Sequence, residues 1–132
     1  MRFARWTFRT AGVYGLLVLL AGYFSEPAVS RDYPPPVTHV EYFYGFIGVA
    51  LAFQIVFLII STDPARYRPL MLAGVVEKLA FFLPVMMLLA RRQVPPPTAA
   101  LACVDVLLGV LFLVAYARTR GLAAAATPAR EE

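Results

Sequence analysis

The stretch YFYGFIGVALAFQIVFLIIS, Tyr42–Ser61, decides how the whole chain is read. Its twenty residues carry no charge, and Gln54 is their one carboxamide. A helix rises ~1.5 Å per residue and a bilayer's hydrocarbon core is ~30 Å thick, so a run of this length crosses it. Buried strands would be about half as long and would need a closed barrel to satisfy their backbone groups.

Three further apolar stretches lie on either side: Thr10–Phe24, with a start as early as Trp6 also open, Leu70–Ala90 and Ala99–Ala117. Together they predict an all-α integral membrane protein. Its fold is a compact bundle of four transmembrane helices over residues 1–120, followed by a flexible tail over 121–132. The composition agrees. Of the 132 residues 61% are hydrophobic and 15% charged, and mean hydropathy is +0.71. Soluble domains are ordinarily about half apolar and a quarter charged. An ordinary soluble enzyme, a disordered segment and a nucleic-acid-binding module are excluded, although the net charge is +4.

The first stretch has two open readings. Arg2, Arg5 and Arg9, an apolar run and Ala28-Val29-Ser30 fit a signal peptide with its cleavage site. Tyr14, Tyr23 and Phe24 fit the interfacial aromatics of a retained span. With four spans, eight basic residues outside them fall on one side: Arg2, Arg5, Arg9, Arg66, Arg68, Arg118, Arg120 and Arg130. Arg31, Arg91 and Arg92 fall on the other. This asymmetry predicts that both termini are cytoplasmic.

The two outer loops hold Pro34–Pro36 and Pro95–Pro97, and Gly48-Val49 and Gly109-Val110 each follow twelve residues later. That spacing hints at two duplicated hairpins. On the inner side Asp63 reads as a helix N-cap with Pro64 in the first turn, leading into an interfacial connector through Arg66, Tyr67 and Arg68.

Polar groups inside a bilayer are costly, so Gln54, Glu77, Lys78 and Asp105 form a candidate intramembrane site. Glu77 shares a helix face with Ala73, Gly74, Ala80 and Pro84, which predicts that this face looks into the bundle. Lys78, about 100° round the helix, is expected to snorkel toward the inner surface rather than pair with Glu77. Gln54 lies at a similar depth and is expected to bond Glu77. Asp105, His39, Glu41 and Tyr44 converge on the outer end as a candidate mouth site suited to acid–base work or cation binding. Cys103 within the fourth span reads as a buried packing residue. Small residues at i, i+4 (Ala11 with Gly15, Gly48 with Ala52, Ala99 with Cys103) mark close helix contacts. No phosphate loop, paired-cysteine motif or nucleophile elbow occurs. No metal or cofactor is expected.

Four short spans with Asp63-Pro64-x-Arg66-Tyr67-Arg68-Pro69 ahead of Glu77-Lys78 resemble the small bacterial membrane proteins grouped as DoxX-like. The resemblance implies a bacterial cytoplasmic membrane. Members mostly lack an assigned activity, some relatives are linked to redox or quinone-associated complexes, and no catalytic motif carries over. Three functions are compatible with the residues. The foremost is a non-enzymatic accessory or assembly protein, whose partners are the bilayer and a second copy or another membrane protein. Another is a small oligomeric transporter, similar in length to the small multidrug transporters, with Glu77 as proton or cation relay. The last is a membrane enzyme acting on a lipid or quinone through His39, Glu41 and Asp105.

Overall fold

Helix begins before the apolar pattern does. In the computed structural model, which describes residues 1–121, α1 runs Arg2–Tyr23, not from Thr10. Ala4, Phe8 and Ala11 recur at helical spacing and are buried, while Arg2, Arg5 and Arg9 lie on the exposed face. An amphipathic first turn therefore extends the helix past the charged residues. The other helices are α2 (Glu26–Asp32), α3 (Val40–Thr62), α4 (Arg68–Ala90) and α5 (Pro96–Arg118). Among the described residues all regular secondary structure is helical.

By length and composition α3, α4 and α5 could each cross a membrane. The fourth expected span is different. α1 meets that standard only jointly with α2, and the two are bent by 71°. The segment between α1 and α3 thus contains a short helix, started by Pro27 in its first turn. Ser30 ties it down, donating to Glu26 Oε1 at 2.7 Å and accepting from Val37 N at 3.1 Å.

Proline sets two more boundaries. α5 starts at Pro96, three residues before Ala99, because Pro96 and Pro97 occupy the first turn, where a missing N–H costs nothing. α4 starts at Arg68 with Pro69 in the same role. Asp63 is not the N-cap of a helix there. It ends α3, and its Oδ1 accepts from Arg66 N at 3.2 Å across a turn through residues 64–67. The N-cap of α4 is Tyr67. The tail assigned to 121–132 lies outside the described residues after Gly121.

α1 packs most closely on α3, and α4 on α5; the pairs meet along α1–α5 and α3–α4. The core sits toward the end that gathers the start of α1, the α3–α4 turn and the end of α5. There Phe8, Phe57 and Phe112 meet from three helices, Phe8 stacked on Phe112 at 4.2 Å and Phe57 edge-on to Phe112 at 4.8 Å. α4 closes the cluster with Gly74, where a Cβ would lie 2.9 Å from Phe57 Cε1 and 3.2 Å from Phe112 Cδ2. Gly12 and Gly15 do the same for α1 against α3: a Cβ at Gly12 would press on Leu58, and one at Gly15 would overlap the Gln54 carboxamide.

The two Gly-Val pairs are not equivalent. Gly109 is buried against Lys78, whereas Gly48 has open space where its Cβ would be. Gly48 and Ala52 lie on an outward face of α3, and Cys103 is exposed on α5 instead of buried. Small residues in an apolar helix allow a contact without dictating one.

Candidate functional site

Three charged side chains meet halfway along the α4–α5 contact. Lys78 is the eleventh of the 23 residues of α4, and Asp105 the tenth of the 23 in α5. Lys78 Nζ donates to Asp105 Oδ1 at 2.9 Å. It also lies 3.2 Å from Glu77 Oε2 and 3.5 Å from Glu77 Oε1. The side chains of Lys78, Glu77 and Asp105 are 6%, 15% and 19% exposed, so the cluster is largely removed from solvent.

Local packing explains why the ammonium is inside. Met71, Gly74, Val75, Lys78 and Val85 are the buried residues of α4, so its inward face is the one carrying Lys78. Of the residues expected to share Glu77's inward face, Gly74 is buried while Ala73, Ala80 and Pro84 point outward, so that face enters the bundle only in part. Gly109 gives Lys78 room, with 3.5 Å between a Cβ there and Lys78 Cβ. The Phe57 ring lies 5.5 Å from Nζ, a cation–π approach that offsets part of the burial cost.

Lys78 therefore does not snorkel. Removing a cation from water is unfavourable, but a carboxylate on the next helix and one beside it compensate in a low-dielectric setting. The approach to Glu77 is equally unexpected from the ~100° between neighbouring residues. Lysine's long stem closes that gap once Asp105 fixes its head.

The two carboxylates outnumber the one ammonium, so the fully ionised triad carries one negative charge. Glu77 Oε2 is buried and has no aligned hydrogen bond, although Nζ is within ion-pair distance. Gln54 is not its partner. The Gln54 carboxamide donates to Ala50 O at 2.9 Å on its own helix and packs where Gly15 leaves space. A carboxamide in an apolar helix has this local acceptor always in reach, and α1 covers it.

The outer-mouth site does not assemble. His39 Nδ1 is 3.1 Å from Glu41 Oε1, but both side chains are about 70% exposed at the start of α3. Tyr44 packs against Tyr23 with ring centroids 5.0 Å apart. Asp105 lies nine residues into α5, about 14 Å along the axis, and its Oδ1 is engaged by Lys78. Nearby on α2, Asp32 beside Arg31 raises the guanidinium above its ordinary range through a 2.7 Å hydrogen bond, with both groups in the open. Among the described residues no group of three His, Cys, Asp or Glu side chains is placed to hold a metal ion.

A basic side chain is seated where α4 begins and α5 ends. Arg68 Nε donates to Tyr116 O at 3.2 Å, and the guanidinium carbon lies 3.6 Å from the centre of the Tyr116 ring. Arg68 was legible as a basic residue, but its seat on Tyr116 spans 48 positions and has no local signature.

No protein-family model matches the chain, and no curated protein or solved structure does either. The chemistry of the site rests on its own geometry.

Proposed function

We propose that the chain is a non-enzymatic integral membrane protein of the bacterial cytoplasmic membrane, with four spans and both termini inside, serving as an accessory or assembly partner. In this reading α1 supplies the fourth span and α2, bent away from it by 71°, lies at its outer end; the DoxX-like resemblance is one of layout. The observation that carries it is the closure of the Glu77–Lys78–Asp105 triad upon itself at the α4–α5 contact. The charges pin two helices at the bilayer midplane, where an unpaired charge would be most costly. Only 28%, 22% and 22% of the apolar windows of α3, α4 and α5 are buried within the chain. The remaining faces are available to lipid and to other membrane helices.

A second reading is favoured by the charge count. One added proton or monovalent cation balances the extra carboxylate, and Glu77 Oε2 has an acceptor position for it. That is the chemistry of a relay in a small oligomeric transporter.

Reconstituted vesicles under an imposed pH gradient separate the two. The accessory reading expects proton flux no greater than in empty vesicles, with Glu77→Gln changing thermal stability alone. Flux above that background which disappears in Glu77→Gln would replace it with the relay.

A further inference from the structure

We propose that Arg68, Tyr116 and Arg120 form a seat for the phosphate of an anionic glycerophospholipid headgroup; this rests on the membrane-spanning reading above. The three residues, with Ala117, line a cleft of about 590 Å³ where α4 begins and α5 ends. Arg68 is held in place from two directions, by its stack on the Tyr116 ring and by the bond from Nε to the Tyr116 carbonyl. Among the described residues these are the contacts of its guanidinium, so the N–H groups on both Nη atoms are left for a ligand. A planar, preorganised fork of this kind matches two phosphate oxygens.

Arg120 supplies the second positive charge on the same cleft. Among the described residues no carboxylate lies within ion-pair distance of either arginine. The acidic residue nearest Arg68 in sequence, Asp63, accepts from the backbone of Arg66.

The flank of the cleft favours a lipid as the source of the phosphate. Val110 and Leu113 continue the face of α5 that carries Ala117 and Arg120, and Leu72 lies one turn along α4 from Arg68. Leu72, Val110 and Leu113 are 40%, 52% and 46% exposed. Acyl chains hanging from a headgroup bound at the arginines have an apolar track to follow. Basic clefts between spans on the inner side are suited to such headgroups.

The test is native mass spectrometry of the full chain in mild detergent, offered phosphatidylglycerol and phosphatidylcholine in equal amounts. Wild type is expected to retain phosphatidylglycerol preferentially. Arg120→Gln, an exposed position whose loss leaves the packing intact, is expected to reduce that preference about fivefold. Arg68→Gln reduces it further, and Arg68→Lys, which keeps charge but loses the planar fork, falls between. Arg2→Gln with Arg9→Gln removes two charges from the same end of the bundle and leaves the preference unchanged. An equal loss in that double variant would overturn the seat in favour of diffuse attraction. Inorganic phosphate that displaces phosphatidylglycerol at equal concentration would overturn the lipid as occupant. Flotation with liposomes is measured in parallel. A wild-type chain that does not float refutes the membrane reading and the seat with it, whereas a floating chain without lipid preference refutes the seat alone.

Discussion

Lys78 Nζ and Asp105 Oδ1, 2.9 Å apart, join the middle of α4 to the middle of α5. The bond closes between two helices whose exposed residues along their middle stretches are apolar, and it draws Glu77 into the same cluster. Its energetic meaning depends on what is removed.

Replacing Lys78 by methionine leaves two carboxylates facing one another in a buried site. Breaking one partner out of a buried ion cluster costs about 3–5 kcal/mol. Thermal unfolding in bicelles is expected to show a loss of that order for Lys78→Met. The triple replacement Glu77→Gln, Lys78→Met, Asp105→Asn recovers most of it, because no uncompensated charge remains. A triple variant as unstable as the single one would mean that lysine packing, rather than charge, holds the helices.

Gly74 and Gly48 both lie in apolar helices and separate cleanly in their surroundings. A Cβ at Gly74 meets Phe57 at 2.9 Å, and that ring is wedged against Phe8 and Phe112. Gly74→Ala is expected to cost about 1–3 kcal/mol through overpacking. Gly48→Ala meets nothing within 4 Å, and gains up to about 1 kcal/mol from helix propensity. Chemical unfolding of the two variants side by side checks the contrast, and equal effects would contradict the placement of the phenylalanine cluster.

Cys103 is exposed on the eighth residue of α5. In the four-span arrangement it faces lipid. A nitroxide attached there in detergent and returned to a bilayer is expected to relax strongly with oxygen and weakly with a water-soluble nickel complex. The opposite pattern would put this face of α5 against water.

Much of the architecture is written in runs of residue type. Length and hydropathy over Tyr42–Ser61 and its two successors determine three long helices, because an apolar run of that length has few other ways to satisfy its backbone. The proline triplets mark where helices cannot continue, although the second opens α5 rather than preceding it. Gln54, Glu77, Lys78 and Asp105 stand out in sequence because the runs that hold them are otherwise almost wholly apolar.

What they touch was decided only in three dimensions. α3, α4 and α5 are apolar nearly all round, so no amphipathic stripe identifies the buried face. The choice between the Glu77 and Lys78 faces of α4 falls to the shape of the neighbours, to Gly109 and Phe57 beside Lys78 and to the aromatic cluster that only Gly74 admits. Asp105 then captures the ammonium from 27 positions away, and Gln54 turns back to its own helix. By itself the sequence determined the three long apolar helices, the outlying charges and the candidate polar residues, because each depends on composition along the chain. The tertiary structure decided the pairing, because an ion pair forms where packing brings side chains together, and packing is a property of the whole bundle.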